Sequence, residues 1–179
     1  MRESHGKKLP FLADWYALWY YEGVVRSSLH RYKFRGAQSY APVYGRLLAM
    51  QLLRRFPEGF DILTWVPVSP RRKWDRGYDQ VELLARAVGA ELELRPLRTL
   101  RKIRHNPPQS GITGQAQRKA NVLGVYEAVQ PSAFLGKRIL LLDDVITTGA
   151  TASECARVLL TAGAKEVICA AIAAVPHQR

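Results

Sequence analysis

The chain has 179 residues, 47% of them hydrophobic and 23% charged, which is ordinary for a soluble globular protein and enough for one real core. Its two isolated cysteines, Cys155 and Cys169, supply neither a disulfide framework nor a zinc quartet. A secretory signal and an apolar run of membrane length are both missing, so no membrane insertion and a cytoplasmic location are expected, while a net charge of +12 predicts a polyanionic ligand, either phosphate or nucleic acid.

Met1 to Asp14 is short and polar and reads as a disordered lead-in to a single domain over 15–179. Trp15 to Tyr21 is rich in β-forming aromatics and reads as a strand closed by Glu22-Gly23. Its aromatic stripe fits core packing, with a platform for stacking bases as the alternative. Val24 to Phe34 reads as a helix with Val25, Leu29 and Tyr32 or Lys33 on nearby turns. Its end is basic, with His30, Arg31, Lys33 and Arg35 before a Gly36 C-cap. Cations there are favoured by the helix dipole, so their charge alone implies no ligand. Ala41 to Arg55 is a second helix carrying Leu47, Leu48, Leu52 and Leu53 on one side.

Ile62 to Val66 is the next strand and runs into Pro67-Val68-Ser69-Pro70-Arg71-Arg72. Prolines stiffen that turn, and guanidiniums bind phosphate oxygens with paired donors. Open α/β sheets bind ligands at the carboxyl ends of their strands, so this turn reads as a diphosphate site rather than only a solvated basic loop. Gln80 to Gly89 is an amphipathic helix. Arg95 to His105 is strongly basic, and Arg98, Arg101, Lys102 and Arg104 are expected to meet nucleic acid or another polyanion. Pro107 to Gly111 interrupts any helix, and a long Pro/Gly loop inside a compact domain is often a lid.

Ile139 to Leu142 are four consecutive apolar residues, suited to a strand buried on both faces. Asp143 and Asp144 follow at once. Adjacent carboxylates repel each other and cannot enter a core, so they need a sugar diol, a metal or a cation. Asp144→Asn is accordingly expected to leave stability unchanged or raise it, since a carboxylate repelling its neighbour is lost. Thr147-Thr148-Gly149-Ala150-Thr151 comes next, before a helix-like stretch from Ser153 to Ala162. Free backbone N–H groups at a helix start make an anion site. Carboxylates beside it suggest a ligand with both hydroxyls and phosphate, such as a ribose phosphate. Asp144 as a simple helix cap is the alternative, but a cap uses one carboxylate and leaves the threonines unexplained. Glu166 to Ala174 reads as the last buried strand. Strands alternating with helices give the α/β class.

Arg138 to Thr151, RILLLDDVITTGAT, resembles the phosphoribosyl-diphosphate (PRPP) signature of type I phosphoribosyltransferases. Three further stretches narrow the resemblance to the ComF family of competence-associated proteins: ALWYYEGVVRSSLHRYKFRG from Ala17, VPVSPRRKWDRGYDQ from Val66 and NPPQSGITGQAQRKANVLGVYE from Asn106. The resemblance implies a type I phosphoribosyltransferase-like fold, a mainly parallel central sheet with helices on both faces and a small hood. It implies that Asp143 and Asp144 accept bonds from the ribose hydroxyls and balance positive charge developing at the anomeric carbon. Thr147, Thr148, Gly149, Ala150 and Thr151 would hold the 5′-phosphate, and Val68, Ser69, Arg71 and Arg72 the diphosphate. Arg118, Lys119 and Asn121 would be the polar positions of a mobile hood. Mg²⁺ would come with PRPP, with no direct protein ligand.

Three departures qualify the resemblance. ComF proteins commonly begin with a cysteine-rich zinc module, and this chain has no N-terminal cysteine, as in a short variant or a cut start. Hypoxanthine–guanine-type transferases carry an aspartate general base where Thr147 stands and a lysine where Ala150 stands. A hydroxyl cannot serve as that base near neutral pH, which argues against purine salvage. The family commonly has Asn where Asp79 stands, so no role is carried onto that position. The leading expectation is a PRPP-binding phosphoribosyltransferase of unknown acceptor, linked to DNA uptake. The alternatives are a non-catalytic protein binding single-stranded DNA or DNA-uptake partners, and a PRPP-sensing regulator. Oligomeric state is not legible.

Overall fold

The computed structural model describes residues 8–104 and 122–176. Four strands form the central sheet: β1 (Asp14–Tyr20), β2 (Ile62–Trp65), β5 (Arg138–Ile146) and β6 (Glu166–Ala174). Their order is β1-β6-β5-β2 and every pairing is parallel. Parallel neighbours need crossovers, and helices supply them. Helices α1 (Gly23–Phe34) and α2 (Tyr40–Arg55) lie between β1 and β2. Helices α3 (Pro70–Arg76) and α4 (Gln80–Leu92) follow β2, and α5 (Ala150–Thr161) joins β5 to β6. A separate antiparallel pair, β3 (Leu100–Lys102) and β4 (Tyr126–Ala128), flanks the stretch 105–121. Arg118, Lys119 and Asn121, expected in the hood, lie outside the described residues.

Because both faces of the sheet are covered, β5 and β6 are apolar almost throughout. Successive side chains of β5 alternate between two cores. Ile139 and Leu141 pack with α5, including Cys155 and Leu159. Leu140 and Leu142 pack with Leu29 and Tyr32 of α1, Leu48 and Leu52 of α2, and Leu84 and Val88 of α4. Each fully buried leucine or isoleucine contributes roughly 1.5–3 kcal/mol relative to exposure. Cys155 and Cys169 are buried free thiols in the first of these cores.

Three expectations change. Residues 8–14, read as part of a disordered lead-in, are packed: Leu9 and Leu12 are buried in the α5-side core, and the Ala13 N–H donates to Val167 O. The leucines supply the apolar area that a polar reading of the segment overlooked. Helix α2 buries Ala41, Tyr44, Gly45, Leu48, Ala49 and Leu52, while Leu53 is exposed. The 3.6-residue period splits Leu47-Leu48 and Leu52-Leu53 between two faces. Gly45 matters there, because a Cβ would lie 2.5 Å from the Ala87 Cβ of α4. Finally, β5 does not stop at Leu142. Asp143 pairs with Ala171 and Val145 with Ala173, since β6 runs on beside it.

Candidate functional site

A cleft of about 750 Å³ opens at the carboxyl ends of β2 and β5. Its floor includes Asp143, Asp144, Thr147 and Thr151. One wall is Val68 with Arg71, Arg72 and Arg76 of α3. The others come from Lys33 and Phe34 of α1, Gln80 of α4, and Lys102 and Tyr126 of the β3–β4 pair. Elements far apart in sequence therefore converge on the acidic pair, at the position where open parallel sheets bind ligands.

The pair sits inside β5, so its two carboxylates leave opposite faces of the sheet. Asp144 is buried, contrary to the expectation that neither acid could enter the interior. Its Oδ1 is 2.8 Å from the Lys33 ammonium, and its Oδ2 accepts from Gln80 Nε2 at 2.8 Å. Burial would push its pKa up, but the Lys33 charge, with hydrogen bonds from Lys33 and Gln80, holds it below the usual carboxylate range. The protein itself thus supplies the cation. Asp143 is half-buried and accepts from the Asp144 N–H at 2.8 Å. Burial, then the neighbouring charge of Asp144, pushes it up to about 8. It faces Tyr126, Cys155 and Lys102, whose own charge states respond to it.

After β5 the backbone turns through Gly149, whose φ is 79°, into α5. A Cβ at Gly149 would lie 2.4 Å from a Leu9 methyl, so the positive φ and the close approach both require glycine. Thr147 and Thr151 line the cleft. Thr148 Oγ1 instead accepts from the Ala150 N–H at 3.4 Å. Of this run, the two outer threonines present side chains and the middle three residues shape the helix start.

The arginine-bearing turn is also more ordered than a loop. Ser69 is buried and caps α3, accepting from the Arg72 N–H at 3.3 Å, with Pro70 at the first helical position. Its hydroxyl is thereby committed to the helix, while Val68, Arg71 and Arg72 remain at the cleft. Asp79, to which no role was carried, is a buried cap of α4, accepting from the Val81 and Glu82 N–H groups at 2.9 and 3.0 Å. Its other oxygen meets the Val68 N–H at 3.4 Å, tying α4 to the turn.

Among the cleft residues that escaped the sequence reading of the site are Lys33, Arg76, Gln80 and Lys102. Lys33 carried a signal, since it lies four residues after buried Leu29 and beside buried Tyr32. A charge on the buried side of a helix needs a partner. Arg76 stacks its guanidinium 4.7 Å from the Phe34 ring centroid, and burial lowers its pKa. Lys102 faces the cleft rather than the basic surface expected of it, 5.5 Å from the Tyr126 ring centroid. Burial, and then Arg72, pushes it down to about 8. Of that basic run, Arg98 and Arg104 are exposed, and Arg101 pairs with Glu127.

Among the described residues no group of three His, Cys, Asp or Glu side chains could hold a metal, and no helix is long and apolar enough to cross a membrane. A phosphoribosyl transferase domain model matches residues 81–179. Competence protein ComFC of Streptococcus pneumoniae is 32% identical over 152 residues, covering 84% of this chain and 64% of the relative. Competence protein F of Haemophilus influenzae is 33% identical over 104 residues, 57% of this chain and 45% of the relative. DNA utilization protein YhgH of Escherichia coli K12 is 30% identical over 144 residues, 78% of this chain and 62% of the relative. The chain therefore spans roughly half to two thirds of the length of these relatives. Among solved structures, the glutamine PRPP amidotransferase of B. subtilis complexed with ADP and GMP aligns with a TM-score of 0.54 at 22% identity. The allosteric regulatory enzyme of purine biosynthesis aligns with a TM-score of 0.51 at 21% identity. Each alignment covers 80% of this chain and 30% of the other, and the likeness is one of fold.

Proposed function

The chain belongs to the phosphoribosyl transferase domain family, on its ComF side, and from that premise we propose that the cleft binds a 5-phosphoribosyl diphosphate and acts on its anomeric carbon. One observation carries the reading: an acidic pair, a threonine-lined helix start and an arginine-bearing wall border the same cleft. Asp143 and Asp144 recognise the ribose diol. Thr147 and Thr151, with the backbone from Thr148 to Ala150, take the 5′-phosphate. Val68, Arg71 and Arg72 take the diphosphate, with Ser69 holding their helix.

The donor set suits a magnesium ion carried by the ligand. Both Asp144 oxygens already face Lys33 and Gln80, which leaves Asp143 as the carboxylate of the pair that would meet a hydrated ion. Magnesium keeps several waters and prefers substrate phosphates with one or two carboxylates. When bound, it would neutralise charge on the diphosphate. The chain's own part in transfer is to fix the ribose and stabilise positive charge as the anomeric C–O bond to diphosphate breaks.

A second reading, binding without turnover, is favoured by Thr147, a hydroxyl where related purine enzymes place a carboxylate base. Competence relatives make a DNA-linked role a further part of the proposal, with Arg98 and Arg104 as exposed candidate contacts. Calorimetric titration of PRPP with Mg²⁺ tests the core claim, and saturable binding that is weakened in Asp144→Asn is expected. Heat traces identical to buffer refute it. Diphosphate release with candidate acceptors separates turnover from binding alone. Neutralising Arg98 and Arg104 is expected to flatten the salt dependence of single-stranded DNA binding.

A further inference from the structure

We propose that Lys33 is a positioning residue for the acidic pair, holding Asp144 charged and aimed so that the remaining lone pairs of its carboxylate receive the ligand's hydroxyls. The proposal rests on the ribose-binding reading of the cleft. Lys33 stands on α1, outside the residues matched by the family model, so this half of the site is contributed by the chain's own N-terminal elements.

The geometry supports the role in three ways. The Lys33 ammonium and the Asp144 carboxylate are 2.8 Å apart, with side-chain exposures of only 17% and 11%. Gln80 Nε2 takes the other carboxylate oxygen at 2.8 Å, so both oxygens are fixed from the α1–α4 side. That side is itself rigid: the Tyr32 hydroxyl donates to Gln80 O, and the Tyr78 hydroxyl donates to Tyr32 O. A carboxylate has about four acceptor directions, and two donors leave the others for a ligand.

The charge balance follows from the groups packed around Asp144. Lys33 and Tyr32 face it from α1 and Arg76 from α3, while Tyr126 of β4 acts on it from the Asp143 side of the sheet and Asp79 at the start of α4 acts on Asp143. Asp143 is its neighbour on β5. Tyr32 is neutral at ordinary pH, because burial and Asp144 raise its pKa, and Tyr126 is raised as well. The cations are therefore Lys33 in direct contact and Arg76 at longer range. Without Lys33, burial of Asp144 is opposed only by the Gln80 hydrogen bond and the more distant Arg76 charge, and the pair holds its protons to higher pH. A protonated Asp144 offers a hydroxyl diol one acceptor fewer.

The test compares Lys33→Met, which keeps the stem and removes the charge, with Lys33→Arg, which keeps the charge. Ribose 5-phosphate affinity is measured across pH for all three proteins, and melting is recorded alongside. Lys33→Met is expected to bind about tenfold more weakly than wild type near about pH 6, with the gap narrowing by about pH 9 as the pair ionises. Lys33→Arg is expected to recover most of the affinity. In the ligand-free proteins, the Asp144 carboxyl carbon followed by NMR is expected to titrate at higher pH in Lys33→Met. A carboxyl midpoint that does not move overturns the proposal, as does a binding gap that stays constant with pH. If wild type binds ribose 5-phosphate and Lys33→Met binds it equally, the role of Lys33 fails while the cleft reading stands. If wild type binds neither ribose 5-phosphate nor PRPP at any pH, both fail together.

Discussion

On the face of the sheet covered by α1 and α4, Asp144 meets an ammonium and an amide at 2.8 Å each, and its pKa is held low. On the face covered by α5 and the β3–β4 pair, Asp143 accepts a backbone N–H and faces Tyr126, Cys155 and Lys102, and burial followed by the Asp144 charge drives its pKa up. Two identical residues, adjacent in sequence, are thus given opposite tendencies by the elements packed on either side of one strand. Identity and spacing set what the pair could do. The faces decide which member keeps its charge.

The largest effect expected separates the faces by stability. Asp144→Asn removes the partner of a mostly buried ammonium, and about 3 kcal/mol of unfolding free energy is expected to be lost in urea titrations near neutral pH. Asp143→Asn is expected to cost nothing or to stabilise, because a carboxyl whose ionisation is opposed by burial and by Asp144 is removed. The mutual repulsion read from sequence predicts no cost for Asp144→Asn, and the Lys33 contact reverses that. Equal losses in the two variants break the comparison.

Ligand binding sharpens it next. Arg71→Ala is expected to weaken PRPP by about 1.5–3 kcal/mol while leaving ribose 5-phosphate nearly unchanged, since only PRPP carries the diphosphate. Asp144→Asn is expected to weaken both ligands, because both carry the diol. Calorimetry with the two ligands separates these patterns, and an Arg71→Ala loss shared by both ligands assigns the arginine wall wrongly.

The pH dependence follows from Asp143. Its folded pKa, pushed up to about 8, lies above the unfolded value, so the folded state holds more protons between the two. Stability therefore falls as pH rises from about 5 towards about 8 and levels off beyond. Asp144, held low, contributes stability that is lost as pH falls from the unfolded carboxylate range through its lower folded pKa. Asp143→Asn is expected to flatten the neutral slope, read as unfolding free energy at several pH values. A slope unchanged by that substitution means Asp143 does not carry it.

The smallest effect lies at the helix start. Thr148→Val is expected to weaken ribose 5-phosphate and PRPP alike by about 0.5–1.5 kcal/mol, because its hydroxyl shapes the turn by accepting from Ala150. Thr147→Val should match or exceed it, since Thr147 lines the cleft. A larger effect at Thr148 means that its hydroxyl, not the backbone, meets the phosphate.

The half of the site that runs continuously from β5 into α5 was legible in sequence. Four apolar residues, two acids and a threonine–glycine turn must follow one another for a strand to deliver carboxylates beside a helix start, so the order is written in the chain. The α/β class was legible for the same reason, since its strands and helices alternate along the sequence. The opposite wall was not. Lys33, Gln80 and Lys102 come from three elements, and nothing in their local spacing connects them to Asp144. They meet because parallel pairing in the order β1-β6-β5-β2 brings α1 and α4 onto one face of β5, and the β3–β4 pair onto the other. The sequence by itself determined that a buried strand, two carboxylates and a threonine–glycine turn follow one another into a helix start. Only the tertiary structure decided which carboxylate stays charged, because that depends on cations and burial brought across the sheet, and both act through space rather than along the chain.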